Sequence, residues 1–171
     1  MKIVLNNFRN PKFNLDINPR FNSNINPKFN LKINPKYNSK INPQFNKGIN
    51  PLIRLELNPF INPLLNPMRR KTAFYRHDEF PIQLGTRNFL GPLIFSLDCQ
   101  LKGYAVMVPE IYGYLVHNIN DEDKFYCVPN MKGGYNVFDD RFTWCGYFVF
   151  NSEGGYNGFS LDGSWNFFMV M

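Results

Sequence analysis

Asn-Pro recurs at a fixed step of eight residues, at Asn10-Pro11, Asn18-Pro19, Asn26-Pro27, Asn34-Pro35, Asn42-Pro43, Asn50-Pro51 and Asn58-Pro59. No other feature restricts the chain as strongly. A proline inside a helix removes a hydrogen bond and clashes with the preceding turn, at about 3 kcal/mol each. In a central strand it removes a ladder donor. A long helix and a long paired strand are therefore both excluded over this stretch. What remains is a chain that turns at regular intervals.

The unit reads Asn-Pro-x-Phe-Asn-x-x-Ile. Its aromatic slot holds Phe13, Phe21, Phe29, Tyr37 and Phe45, then Ile53. Its second Asn slot holds Asn14, Asn22, Asn30, Asn38 and Asn46, then Arg54, and its aliphatic slot holds Ile17, Ile25, Ile33, Ile41, Ile49 and Leu57. Each unit is thus two tetrads that begin with Asn and end with an apolar residue. Asn suits the first position of a type I turn because its side chain bonds the backbone two residues on, and Pro presets φ at the second. Repeating the quartet returns apolar residues to one side. The expectation is a compact, solenoid-like array, with an extended tether as the alternative. After Asn58 the Asn-Pro step reads as tightening to four, at Asn62-Pro63 and Asn66-Pro67. There Ile61, Leu64 and Leu65 are expected to dock on the C-terminal half of the chain, with Met68-Arg69-Arg70-Lys71 as a hinge.

The net charge of +6 conceals an asymmetry. Residues 1–71 carry 13 Lys and Arg against Asp16 and Glu56 alone, whereas residues 72–171 carry 6 against 11 acidic residues. The basic half offers Lys12, Arg20, Lys28, Lys32, Lys36 and Lys40 beside the aromatic slot, a pattern that could follow a phosphate backbone and stack bases. The plainer reading makes the aromatics a thin core of the array itself and the lysines its solubilising charges. The opposite charges of the halves also suit docking of one on the other.

From Thr72 the pattern becomes one of β-formers and turn residues. Asn130-Met131-Lys132-Gly133-Gly134-Tyr135-Asn136-Val137-Phe138 is matched 21 residues later by Asn151-Ser152-Glu153-Gly154-Gly155-Tyr156-Asn157-Gly158-Phe159, and the register continues through Trp144 and Trp165. A fainter copy runs from Phe95 to Tyr104, with Leu101 in place of Trp and Gly103 matching Gly146. A further hairpin pairs Gly113–Val116 with Phe125–Val128 across the acidic segment Asp121-Glu122-Asp123. Residues 90–171 therefore read as about four hairpins. One hairpin is marginal in water, whereas several sharing an aromatic face make a small barrel or a radial assembly.

The Phe-x-x-x-x-x-Trp-x-Gly-Tyr hairpin resembles the repeats of WG-type β proteins and of four-fold β-flower domains. Phe138 to Tyr147 carries the likeness, which covers the C-terminal half. The chain departs from the pattern where Cys145 separates Trp144 from Gly146, and where Phe167 takes the glycine position of the last copy. The resemblance implies a binding or accessory module and supplies no catalytic residues.

Nothing in the spacing points to catalysis. Phosphate-binding glycine loops and the nucleophile-elbow motif are absent, and no helix follows Gly133-Gly134 or Gly154-Gly155. The two histidines are His77, in a charged segment, and His117. Cys99, Cys127 and Cys145 have neither zinc nor redox spacing, so free thiols are expected, with one disulfide as the alternative. Asp121, Glu122 and Asp123 lack the glycine and the distal Glu of a calcium loop. No metal and no cofactor are expected. Equivalent turns would set Tyr135-Asn136 and Tyr156-Asn157 on one rim, near Trp144 and Trp165, as aromatic platforms with amides that suit sugars or peptides. Packing of these tyrosines across strands is the alternative.

The reading is mainly β, with a basic octapeptide array (1–71) before an acidic, aromatic hairpin domain (72–171). The expected role is non-enzymatic: the array as spacer or assembly surface, the β domain as recognition head, and a protein partner or self-association. Nucleic-acid binding through residues 1–71 and small-ligand or lipid binding by the β domain are the alternatives. The apolar run at Ile3-Val4-Leu5 is too short for a secretory signal, and no stretch reaches the roughly 20 apolar residues of a membrane helix, so a cytoplasmic location is expected.

Overall fold

The computed structural model describes residues 13–65, 91–119, 124–130 and 132–171. The C-terminal part is a closed antiparallel barrel of eight strands in sequence order, β1 Leu93–Ser96, β2 Leu101–Val108, β3 Gly113–Asn118, β4 Lys124–Pro129, β5 Tyr135–Phe138, β6 Trp144–Phe150, β7 Tyr156–Ser160 and β8 Trp165–Val170. Pairing of β1 with β8 closes the sheet, so no strand edge is left open.

Period-two alternation gives the barrel two faces. One face is a single cluster to which every strand contributes, from Ile94 on β1 to Met169 on β8. On this face Tyr135 meets Tyr114 and Tyr156, two strands away on either side, with ring centroids 5.3 Å apart. Side chains on alternate strands converge only on the concave side, so this face is the interior. The even strands place Ala105, Cys127, Phe148 and Met169 there, and the odd strands place Ile94, Val116, Val137 and Gly158. These sets follow the stacked four-residue layers of small barrels. Their spacings of 21 or 22 residues show what the 21-residue repeat is: one hairpin per quarter of the barrel, in four copies of which the sequence displays two openly.

Three of the four hairpins share one turn and one bulge. Ser96, Asp139 and Ser160 each donate their N–H to the carbonyl four residues on, at 2.9–3.0 Å. The third loop residue is left-handed each time, with φ of 62° at Cys99, 61° at Phe142 and 82° at Gly163. Just beyond each turn the pairing slips, leaving Lys102, Cys145 and Asn166 as the extra residues. A bulge frees a carbonyl. Trp144 Nε1–H donates to Gly146 O and Trp165 Nε1–H to Phe167 O, both at 2.8 Å. The tryptophan of the repeat is therefore a bulge clasp.

The array forms coils of eight residues. In the first tetrad Phe29 and Asn30 N–H both bond Asn26 O, at 3.0 and 2.9 Å, and in the second Ile33 N–H bonds Asn30 O at 3.3 Å. Several second tetrads are short 3-10 turns, such as Ser39–Ile41 and Leu55–Leu57. Asn serves at both tetrad starts because its amide bonds in two directions. Its Oδ1 accepts the N–H two residues on, as from Lys28 to Asn26 and from Lys32 to Asn30. Its Nδ2 donates to the previous coil. Asn26, Asn34, Asn42 and Asn50 reach Pro19, Pro27, Pro35 and Pro43 O at 2.6–3.0 Å, and Asn30, Asn38 and Asn46 reach Asn24, Lys32 and Lys40 O at 2.6–2.7 Å. Aspartate lacks that donor, and serine cannot span both partners. Proline fits the second slot because it brings no N–H that would need a partner.

The octapeptide register runs on through Leu65. Asn62 occupies the second Asn slot, with its Nδ2 on Glu56 O at 2.9 Å, and Pro63 opens the last 3-10 turn. The apparent tightening is thus an extra proline inside an unchanged coil.

From Ile25 to Leu57 the coils lay their aliphatic slot against the outer face of the barrel, with Asn26, Asn34, Asn42 and Asn50 and the prolines after them buried beside it. Ile33, Ile41, Leu57 and Leu65 are buried. Ile41 and Ile49 join the outer cluster that contains Tyr126, Trp144 and Tyr147, and Ile25 joins that of Phe95 and Phe168. Leu65 is buried, whereas Ile61 and Leu64, expected to dock with it, stand out in solvent because they fill other slots of the same coil. Residues 68–71, expected as a hinge, lie outside the described residues. The contact between the halves rests on apolar and amide groups; the ion pair Lys32–Glu153, at 3.9 Å, is solvent-exposed and contributes little.

Candidate functional site

The aromatic slot is the opposite of a core. Phe13, Phe21, Phe29, Tyr37 and Phe45 are 61–71% exposed, whereas Ile25, Ile33, Ile41 and Ile49 in the aliphatic slot are buried or half-buried. The thin aromatic core anticipated for the array is not formed, because one side of each coil faces the barrel and that side takes the aliphatic residue. The aromatics recur once per coil as a row on the exposed side of the array. A cation precedes each of three rungs, in Arg20-Phe21, Lys28-Phe29 and Lys36-Tyr37, and all six side chains are exposed. Lys28 Nζ lies 5.9 Å from the centre of the Phe29 ring. Lys32 and Lys40 are exposed in another slot, and Lys12 lies outside the described residues. Towards Leu65 the aromatic slot turns aliphatic, at Ile53 and Ile61, with Leu52 and Phe60 exposed beside them. Isolated exposed apolar residues are ordinary; a contiguous row is not.

The Tyr-Asn pairs do not share a rim. Adjacent residues on a strand point to opposite faces, so Tyr135 and Tyr156 enter the barrel while Asn136 and Asn157 leave it. The tyrosines join Tyr114 in an edge-to-face row that fills one end of the interior. Burial raises the Tyr135 hydroxyl far above the ordinary phenol range, and the neighbouring tyrosines add to the effect. Asn136 and Asn157 are fully buried beneath the array, where Asn157 Nδ2 donates to Ile33 O and Asn136 Nδ2 to Leu57 O, both at 2.8 Å. They are the polar anchors of the array. Trp144 is buried at the same interface with Phe60 edge-on at 5.5 Å, and Trp165 is half-buried.

The barrel interior is open at its other end, where the Asp-containing turns lie. A cavity of about 370 Å³ is lined there by Ile94, Val116, Phe125, Val137, Phe148 and Phe167. Gly103, Gly146 and Gly158 fall among its lining positions and contribute no side chain. At Gly103 a Cβ would sit 2.4 Å from His117 O, so close strand approach demands glycine and leaves the space unfilled. The bulge residues Lys102, Cys145 and Asn166 stand at the mouth with Asn118 and Ser160. Sequence reasoning matched Gly103 with Gly146 and kept small-ligand binding by the β domain as an alternative, but it did not find the bulge residues at the mouth, because a bulge leaves no trace in residue spacing.

All three cysteines are free. Burial pushes the Cys127 thiol far up, and the Cys145 thiol up to about 11 through burial and the nearby Asp139. His117 stacks on Tyr104 at 5.0 Å, and His77 and residues 121–123 lie outside the described residues. Among the described residues, no three His, Cys, Asp or Glu side chains are grouped to hold a metal, and no helix is long and apolar enough to cross a membrane. No family model, curated protein or solved structure matches the chain.

Proposed function

We propose that the chain is a non-enzymatic interaction protein, that the outer edge of a short solenoid formed by the array is its recognition surface, and that the barrel is the scaffold holding it. One observation carries this reading. From Ile25 to Leu57 the aliphatic slot is spent on the barrel, while the aromatic or apolar residue at the other slot of the same coils, from Phe21 to Ile53, faces solvent. Rings that filled no structural need elsewhere would be a solubility burden unless something covers them. The roles anticipated for the halves are thereby exchanged, with the array as the recognising element.

The cation beside each of three rungs favours a single-stranded nucleic acid as the covering partner, since ring stacking and phosphate pairing then repeat together along one edge. The aliphatic rungs toward Leu65 favour a protein surface or a second copy. The full chain and a Phe21→Ser/Phe29→Ser/Tyr37→Ser variant are compared by sedimentation velocity and by titration with a labelled single-stranded oligonucleotide at 50 and 200 mM salt. The reading expects association in one of the two assays, lost in the variant, with a steep salt dependence if the oligonucleotide is the partner. Association that persists unchanged in the variant, or a chain that stays monomeric and ignores the oligonucleotide, contradicts it.

A further inference from the structure

We infer that the open end of the barrel is a binding well for a small amphiphile with an apolar body and a carboxylate head. This site is separate from the array edge and does not depend on it. The well falls within the size range of small-molecule sites and shares their build, apolar walls with a few polar groups at one end. Its floor is closed, because Phe148 lies below the cavity and the row Tyr114, Tyr135, Tyr156 fills the interior beyond. A guest therefore enters from the end that carries the bulges.

The three bulges decide the chemistry of the mouth. Each inserts one residue that the ladder does not pair, and those residues are an ammonium, a thiol and an amide: Lys102, Cys145 and Asn166. Among the described residues that line the well, Lys102 brings the one permanent charge, and His117 adds no negative one, so the head group they meet best is anionic. Asp98, in the same turn, has its carboxylate occupied by the Ser96 hydroxyl and stays ionised well below the usual range. Asp162 is likewise held by the Ser164 N–H and the Ser160 hydroxyl. These carboxylates are tied into their turns and do not line the well. The Cys145 thiol donates to Val137 O at 3.4 Å, and burial with the nearby Asp139 keeps it protonated, so it serves the mouth as a neutral polar group.

The test uses the full chain with the neutral dye N-phenyl-1-naphthylamine as reporter and decanoic acid and decanol as competitors. The dye should brighten on binding, and decanoic acid should displace it at a concentration at least tenfold lower than decanol at pH 7. Cys145→Trp places a ring across the mouth from an exposed position and should abolish dye uptake without lowering the melting temperature. Lys102→Met should keep dye binding and erase the preference for the acid. Phe29→Ser should change neither, which separates the well from the array edge. Dye binding that survives Cys145→Trp, or that is lost in Phe29→Ser, overturns the site. Equal displacement by acid and alcohol in the unmodified chain overturns the assignment of the head group.

Discussion

The array and the barrel are both repeats, yet they satisfy their backbones in opposite ways. The barrel does so through a closed ladder, with side chains left free to fill an interior layer by layer. The array has no ladder and no interior. Its asparagine side chains stand in for neighbouring strands, with one amide in each tetrad from Asn22 to Asn50 reaching back to the previous coil. It buries chiefly one aliphatic residue, one Asn and one Pro per coil, and buries them on the barrel. A repeat of eight residues is too short to enclose a core, so this one borrows the outer face of another. The difference teaches that order in the array depends on docking, while order in the barrel interior does not.

That contrast can be broken at the interface. Ile41→Asp sets a carboxylate into the outer cluster without a partner and should destabilise the chain by about 4 kcal/mol, more than any single change along the exposed edge. Chemical denaturation followed by tryptophan fluorescence measures it. Asn157→Asp removes the donor to Ile33 O and leaves a fully buried carboxyl; the loss should be about 3 kcal/mol at pH 7. Burial raises the folded pKa of the introduced carboxyl above its unfolded value near 3.9. The penalty therefore grows as pH rises above the unfolded pKa and shrinks as pH falls, when the protonated group can again donate to Ile33 O. Melting curves between pH 3 and 7 resolve the trend, and a constant deficit would count against the anchoring role.

Within the array, Asn34→Ala loses both the bond to Pro27 O and the turn to Lys36 N–H, and about 1–2 kcal/mol should go with them. Phe45→Ser, on the exposed edge of the next coil, should change stability by less than about 0.5 kcal/mol. The smallest effect is expected at Tyr147. Its hydroxyl is buried without a hydrogen-bond partner, so Tyr147→Phe should be neutral or stabilising by up to about 1 kcal/mol.

Much of this architecture was legible in the residues. The Asn-Pro quartet announced its turn, and the Gly-Gly and Asp-containing segments announced the hairpins, because turn chemistry is local. Burial was not legible in the array. Phe29 and Ile33 each recur every eight residues, and periodicity cannot say which of two apolar slots meets a surface lying far along the chain. Nor could spacing show that Asn136 and Asn157 reach the array. Each anchors a coil 79 or 124 residues away, while the Tyr beside it turns inward. Leu101 replaces Trp in the first hairpin, so that copy reads only faintly in the sequence although its turn and bulge are intact.

The most direct test of the central claim is amide hydrogen exchange on the full chain, comparing the unmodified protein with Ile41→Asp. If docking orders the array, the N–H groups of Phe29, Tyr37, Phe45 and Ile53 are protected in the unmodified chain. In the variant they lose protection, while the interior-facing strands near Cys127 keep theirs. Protection of those four amides that survives the substitution would show that the coils hold themselves together, and would contradict the account.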